Sequence, residues 1–373
     1  MDSYITRFAQ LEEVVSALRR EPLVAVDTEA ASFHRYRDRI CLVQLSSVAH
    51  GAIVDPLALT DLAPLGALLA DRAVEKVFHD ADYDLRILDR DYSFHATALF
   101  DTRIAAQLTG EPAVGLAALL QKYIGITLTK EHQRADWSQR PLPPDMLAYA
   151  AADTQHLPPL RHGLRERLRA LGRLEWAEEE FGHLEALRWT GNSDGPDAYL
   201  RMKGARALTG RQLAALRELY RWREELAARQ DRATFRIVDN EVLLAVSRAL
   251  PESAPALAAT RGVPSAHVRR HGAELLAGVQ RALVLDEDAL PHIERAPRQP
   301  RDPAFDARVE RLKAARNRIA AELGLDPGVL CGRPTLEAVA RARPTDRAGL
   351  AQVGELRRWQ AAVLGDALLA ALG

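Results

Sequence analysis

Leu23-Val24-Ala25-Val26-Asp27-Thr28-Glu29 is a short apolar run that ends in two acids. Such a run suits a strand, and on a strand positions i and i+2 share a face, so Asp27 and Glu29 point the same way at its end. Two like charges that close cost free energy unless a cation sits between them. Alone, Asp-x-Glu is a weak signal that a solvated loop also satisfies. Working outward, residues 40–45 and 51–54 repeat the strand pattern, and Val77-Phe78 is a fourth strand after a helical stretch over 61–69. From about Asp101 the apolar period becomes helical, through Ile104, Ala105 and Leu108, then Leu116, Leu119 and Leu120, then 147–157. The order predicts a mixed α/β sheet with helices against it.

The chain has 373 residues, enough for two or three domains that each bury a core. Hydrophobic residues make up 47% and charged residues 27%, a globular balance that excludes disorder, and no window has the run of about 20 apolar residues a membrane span needs. The opening MDSYITRFAQLEE has no basic-then-apolar leader pattern, so a cytoplasmic location is expected. Cys41 and Cys331 lie far apart and form no CxxC pair, which leaves oxygen or imidazole as the only ligands for a metal. The net charge of −1 hides an asymmetry. Residues 1–180 hold 20 basic against 27 acidic residues, net −7, and residues 181–373 hold 30 against 24, net +6. Residues 200–281 alone hold 15 against 8. An acidic half joined to a basic half points to metal-binding carboxylates in one and a polyanion footprint in the other; ordinary solvated helix faces are the competing reading.

Past residue 180 the strand signals vanish, and Gly191-Asn192-Ser193-Asp194-Gly195-Pro196 marks a boundary. Two helical segments follow, separated by a linker over 286–303 that contains Pro291, Pro297, Pro300 and Pro303. The segments repeat each other. Ala245-Val246-Ser247-Arg248-Ala249-Leu250-Pro251 matches Ala338-Val339-Ala340-Arg341-Ala342-Arg343-Pro344 at an offset of 338 − 245 = 93, and the same offset carries Leu257 onto Leu350 and Gly272 onto Gly365. One helical module is present twice.

Two further acidic elements accompany Asp27 and Glu29. Lys76 to Leu85 reads as a strand running into a helix with Asp80, Asp82 and Asp84; the first two suit the N-cap and first turn, whereas Asp84 lies deeper and can face the same cleft as Asp27. In Tyr149-Ala150-Ala151-Ala152-Asp153, the outer residues stack on one helix face and the alanines let that helix approach the sheet closely.

In this order the three elements resemble the DEDD superfamily of 3′–5′ exonucleases. The tyrosine four residues before the last aspartate marks the DEDDy branch; the histidine branch would place its histidine where Ala148 stands. Thr129-Lys130, the run Asp136-Trp137-Ser138-Gln139-Arg140-Pro141-Leu142 and Tyr149 to Asp153 together resemble the ribonuclease D family, and the two modules resemble the HRDC domain. The resemblance covers essentially the whole chain. It implies an α/β exonuclease domain, a ribonuclease H-like mixed sheet flanked by helices over 1–190, then two all-α HRDC bundles over 200–285 and 304–373. It makes Asp27, Glu29, Asp84 and Asp153 the metal carboxylates and Tyr149 the water-orienting residue, these five being the catalytic set. Many relatives have an aromatic directly after Asp-Thr-Glu. Here Ala30 follows, and the nearest aromatic lies in Ser32-Phe33-His34-Arg35-Tyr36, which makes Phe33, His34 and Tyr36 candidates for contact with the terminal nucleotide.

Phosphodiester hydrolysis builds charge on an anionic phosphate and needs an activated water; two divalent cations about 3.5–4 Å apart meet both needs. Four carboxylates balance two such ions, and oxygen-only ligation favours Mg²⁺ or Mn²⁺. Tyrosine, with an ordinary pKa near 10, is a poor general base and serves better by aligning the water. His79 is a candidate for the terminal sugar or base, with a packing histidine as the competing reading. Arg134 and Arg140 lie in a loop expected to anchor the Tyr149 helix through a buried Trp137, and they are candidates for phosphate contact. In the first module Lys203, Arg206, Arg211, Arg217, Arg221 and Arg223 cluster, with Arg261, Arg269 and Arg270 later; such charges can track a flexible strand. Residues 302–373 hold 11 basic against 9 acidic residues, so the second module is expected to grip less and pack more. The function implied is a metal-dependent 3′–5′ exoribonuclease that releases 5′-mononucleotides and trims precursor tRNA and other small structured RNAs with single-stranded 3′ ends. No membrane association and no protein partner are expected. The alternatives are an exonuclease acting on single-stranded DNA and a catalytically silent nucleic-acid-binding scaffold, against which the presence of all five residues stands.

Overall fold

Short apolar runs with β-branched residues assemble into one six-stranded sheet in a computed structural model that describes residues 3–31, 33–128, 131–191, 195–293 and 302–373. The strands are β1 (Ser3–Ile5), β2 (Leu23–Ala30), β3 (Ile40–Ser46), β4 (Gly51–Val54), β5 (Glu75–Phe78) and β6 (Leu99–Asp101), in the order β1-β4-β3-β2-β5-β6. β3 and β4 pair antiparallel, and the β1/β4, β2/β5 and β5/β6 pairs are parallel, so the sheet is mixed as expected. All seven residues of β3 are buried, the mark of a strand covered on both faces. The parallel register, with Ala25 opposite Val77 and Phe78 opposite Asp101, brings the C-terminal ends of β2, β5 and β6 to one edge. Asp27, Glu29, His79 and Thr102 all lie at or just past those ends, where open α/β sheets place their ligands.

Among the described residues eight α-helices accompany the sheet: α1 (Phe8–Leu18), α2 (Ala63–Ala70), α3 (Asp82–Tyr92), α4 (Thr102–Leu108), α5 (Leu116–Tyr123), α6 (Pro144–Gln155), α7 (Leu157–Ala170) and α8 (Leu174–Glu185). α6 packs on β3 and β4 through Met146, Ala150 and Thr154, and the small side chains permit the close approach that a Ser46–Thr154 hydroxyl contact of 2.6 Å records.

The helical modules follow. The first has α9 (Gly210–Gln230), α10 (Asn240–Ala249), α11 (Ala254–Ala259) and α12 (Ser265–Leu283). The second has α13 (Pro303–Leu323), α14 (Pro327–Leu330), α15 (Arg333–Ala342), α16 (Arg347–Ala351) and α17 (Arg358–Leu372). The starts of α9, α10, α11 and α12 map onto those of α13, α15, α16 and α17 at the offset 303 − 210 = 93. The caps repeat as well: Asp231 and Gly324, then Leu250 and Arg343, are left-handed at helix C-termini, and Ser253 and Asp346 cap the helices that follow. The sequence repeat is therefore a structural repeat. The residues of the inter-domain break at 192–194, the linker prolines Pro297 and Pro300, and Ser32, Thr129 and Lys130 lie outside the described residues.

Compactness does not follow chain order. One unit contains Met1–Glu29, Ile40–Trp189 and Gln299–Gly373; the other contains Ala30–Arg39 and Thr190–Arg298. Within the first, the Glu179 carboxylate accepts from the free N–H groups of Arg358 and Trp359 at the start of α17 (2.8 and 3.0 Å), the Trp359 indole donates to Glu180 (2.7 Å), and the Trp176 and Trp359 rings stack at 5.0 Å. Arg173 donates to the Leu108 and Leu323 carbonyls, 2.9 and 2.6 Å away. Within the second unit, Ala233 N–H donates to the His34 carbonyl (3.2 Å), Arg236 Nε donates to the Phe33 carbonyl (2.6 Å), and Tyr36 packs on the module's core.

The loop before α6 is fastened by one side chain. Arg140 donates to both Asp55 carboxylate oxygens (2.6 and 2.8 Å) and to the carbonyls of Cys41, Trp137 and Gln139. Asp55 is almost wholly buried, so removing its partner strands a charge. Arg140→Ala is expected to lower unfolding free energy by about 2–4 kcal/mol in denaturant titration, and Arg140→Lys to recover little because a point charge cannot replace the fork.

Candidate active site

β2 ends with Asp27 and Glu29 on one side, and α6 brings Asp153 to meet them. One carboxylate oxygen from each lies within 4.8 Å of the others. They open onto a cleft of about 520 Å³ that Thr28, His79, Gln133 and Tyr149 also line. Tyr149 sits one turn before Asp153, its ring between His132 (5.7 Å, edge-on) and Trp137 (6.1 Å), and Trp137 is buried as expected. Asp84 is not one of the three converging carboxylates. It is buried on α3 and accepts a hydrogen bond from the Thr28 hydroxyl, close enough to add to the repulsion felt by Asp27 and Glu29.

Two features near the site escaped the sequence reading. Asp101, fully buried at the end of β6, accepts from the N–H groups of Ala81 (2.7 Å), Arg103 (2.8 Å) and Ile104 (2.9 Å), and so fixes the starts of both α3 and α4. The capping role expected of Asp80 belongs to it. Asp80 has φ 69° and pairs with Arg103 at 2.8 Å. The other feature is the tautomer of His79. The Thr102 hydroxyl donates its one proton to the Phe78 carbonyl (3.0 Å), so at its 2.9 Å contact with His79 Nδ1 it must accept. Nδ1 therefore carries the proton and Nε2 is a bare acceptor on a ring that lines the cleft. Burial holds the ring neutral, its pKa down at about 4.

Burial and mutual repulsion dominate the electrostatics. Burial, then the charges of Asp84, Glu29 and Asp153, raises Asp27 well above the usual carboxylate range; burial, then Asp153 and Asp84, does the same to Glu29. Burial lifts Asp153 and Asp84 to about 7, in Asp84 against the opposing pull of the Thr28 hydroxyl. Burial, then the three nearby carboxylates, raises Tyr149 further above 10, so its phenol keeps its proton. An all-oxygen set this crowded and this reluctant to ionise fits hard divalent cations, whose charge would reverse every one of these shifts.

Phe33, His34 and Tyr36 belong to the unit built on the first module. Arg134 is exposed beside Gln133, and Arg140 is occupied within the fold. Lys203, Arg206, Arg269 and Arg270 are exposed, Arg269 touching Ser265 at 3.2 Å. Two arginines of the remaining basic cluster, Arg211 and Arg223, are not available to a strand. Arg223 is buried against the Val238 carbonyl and Asn240, Arg211 holds the carbonyls of Ala282 and Leu283, and Arg217 and Arg221 flank Glu218.

Comparison with known proteins gives the class that this fold and cleft define. Residues 3–169 match the 3′–5′ exonuclease family, and residues 212–279 and 305–372 each match the HRDC domain. Ribonuclease D of Gluconacetobacter diazotrophicus is 36% identical over 98% of this chain and 91% of that protein, and ribonuclease D of Escherichia coli K12 is 36% identical over 77% and 76%. The crystal structure of the Escherichia coli enzyme, described as an exoribonuclease involved in structured RNA processing, superimposes with a TM-score of 0.72 at 30% identity, covering 100% of this chain and 98% of that one. The catalytic core of Trypanosoma brucei RRP6 gives 0.66 at 30% identity over 78% and 81%. The chain belongs to the ribonuclease D family and is a hydrolase, a 3′–5′ exoribonuclease.

An acid whose folded pKa lies above its unfolded value contributes stability that is full below the unfolded value, near 4, and lost as pH rises through the folded one, here about 7. In chelator, the thermal midpoint is therefore expected to fall between about pH 5 and pH 8. A divalent cation should restore it, and more at the higher pH. Asp153→Asn should raise the chelated midpoint near pH 8 and change it little near pH 5; a flat profile by scanning fluorimetry contradicts this account.

Proposed function

We propose that this exoribonuclease works by a two-metal-ion mechanism with Mg²⁺ or Mn²⁺, releases 5′-mononucleotides and trims the 3′ ends of precursor tRNA and other small structured RNAs in the cytoplasm. The observation that carries the reading is the convergence of Asp27, Glu29 and Asp153 beside a neutral Tyr149, with Asp84 held next to them. The substrate class draws support from the Escherichia coli relative, described as processing structured RNA. The two cysteines, Cys41 and Cys331, are both buried thiols, which suits a reducing compartment.

Asp27, Glu29, Asp153 and Asp84 would hold the cations, which would neutralise the phosphate and polarise the attacking water. Tyr149 donates its phenolic proton in a hydrogen bond that aligns the water, and its high pKa keeps it from acting as a base. His132 and Trp137 fix the ring in that pose. His79 Nε2 is a neutral acceptor among anions, suited to the 2′-hydroxyl of the terminal nucleotide, a donor that DNA lacks. That favours RNA over the DNA-directed alternative.

Tyr149→Phe is expected to lower kcat about 10- to 100-fold, the worth of one orienting hydrogen bond, with calorimetric metal affinity intact. Asp27→Ala should abolish both. Equal loss of metal affinity in the two variants overturns the division of roles, and a 3′-labelled RNA shortened equally well in chelator overturns the mechanism. His79→Phe should reduce kcat/KM several-fold on RNA and much less on RNA ending in a 2′-deoxynucleotide; equal losses exclude the 2′-hydroxyl contact.

A further inference from the structure

The segment that follows the catalytic strand is built into the first helical module. Phe33 and Phe235 meet there edge-to-face, ring centroids 5.8 Å apart at 76°, yet they remain 43% and 50% exposed. Arg236 lies over the Phe235 ring at 5.8 Å while its Nε is anchored on the Phe33 carbonyl, so the guanidinium is held over one ring and tied to the backbone of the other. Two rings in contact and exposed to this degree make an aromatic face on which a partner can lie. The charge around it indicates which. Residues 30–39 and 229–239 contribute six arginines against three aspartates. Of the acids, Asp231 pairs with Arg35 (3.8 Å) and Asp239 caps α10 through the Val242 N–H (2.9 Å). Arg37, Arg229, Arg232 and Arg236 are exposed.

The repeat supplies an internal control. At the offset of 93, Phe235 corresponds to Gly328, Arg236 to Val329, Arg232 to Leu325 and Arg229 to Glu322. The second module keeps the helices and the caps but has neither the ring nor the positive charge at this turn, so the fold does not require them.

We propose that Phe33 and Phe235, with Arg232 and Arg236 around them, form a base-stacking site for single-stranded RNA on the first module. The bases lie on the rings while the arginines neutralise the phosphates between them, a combination that holds any sequence because every base has a π-face. The proposal rests on the reading that the chain acts on RNA, but it concerns a site other than the cleft.

The test uses the full chain in chelator, so that binding is read without cleavage, and measures anisotropy of a labelled single-stranded oligoadenylate and of a matching abasic phosphodiester chain. Phe235→Leu and Phe33→Leu are each expected to weaken oligoadenylate binding about tenfold and leave abasic binding unchanged. Phe235→Trp should keep the affinity and add indole fluorescence that oligoadenylate quenches, which covers the case of a leucine variant that folds poorly. Wild-type affinity in Phe235→Leu, an equal loss on the abasic chain, or an added tryptophan that RNA does not quench overturns the proposal; the last two outcomes would leave the patch a purely electrostatic surface or a protein contact. Hydrolysis of the same oligomer once Mn²⁺ is supplied reads the cleft separately, so failure there and failure of the stacking site are distinguishable.

Discussion

Four carboxylates crowded at one edge of a sheet repel each other, and the architecture of the N-terminal domain serves to hold them there. Carboxylates left to relax would separate or recruit arginines. Here the parallel register of β2, β5 and β6 fixes the strand ends, Asp101 anchors the first turn of the helix that carries Asp84, and Thr28 holds Asp84 by its hydroxyl. Met146, Ala150 and Thr154 let α6 lie on the sheet so that Asp153 completes the cluster. Arginines are abundant in the chain, and among the described residues Arg140 is engaged with Asp55 and Arg103 with Asp80. Burial first, and then mutual repulsion among the carboxylates, accounts for groups that hold protons near neutrality.

This strain is of the kind functional sites accumulate, and it needs a rigid surround. The second module provides part of it. Its helix α17 begins on two exonuclease glutamates and a stacked tryptophan pair, and Arg173 ties Leu108 to Leu323. Carboxylates already occupy the N–H groups at the start of α17, where a phosphate would otherwise bind. The weak net charge of this module is thus matched by a packing role.

The sequence made some of this legible and hid the rest for physical reasons. Asp27 with Glu29, and Tyr149 with Asp153, could be read because strand and helix periods dictate which residues share a face, and the repeat could be read because it has no gaps. β1 and β6, at three residues each, are too short to show a period. Asp101 is a single acid in an unremarkable stretch, and its importance comes from donors 20 residues away. Arginine counts misled most, since a charge visible in sequence carries no sign of whether carbonyls already hold it, as they hold Arg211 and Arg223. Nor does anything local reveal that residues 33–36 fold onto residues some 200 positions later.

The two copies of the module use the same edge differently. The end of the first long helix and the turn after it, 230–236 in one copy and 323–329 in the other, is a docking edge in both modules. In the second copy Gly324 lies so close to Gly110 that a Cβ there would sit 2.5 Å from its carbonyl oxygen, and the edge is closed by backbone-to-backbone packing. In the first copy the same edge receives a short strap, residues 33–39, through hydrogen bonds from Ala233 and Arg236, the Phe33–Phe235 ring contact and the packing of Tyr36. A strap covers less than a domain does, so this copy has aromatic and cationic surface left over. The helix starts and the caps at Asp231 and Gly324, Leu250 and Arg343, and Ser253 and Asp346 are shared, while four positions at this edge differ in ring and charge, so the contrast between the two edges lies in side chains rather than in backbone.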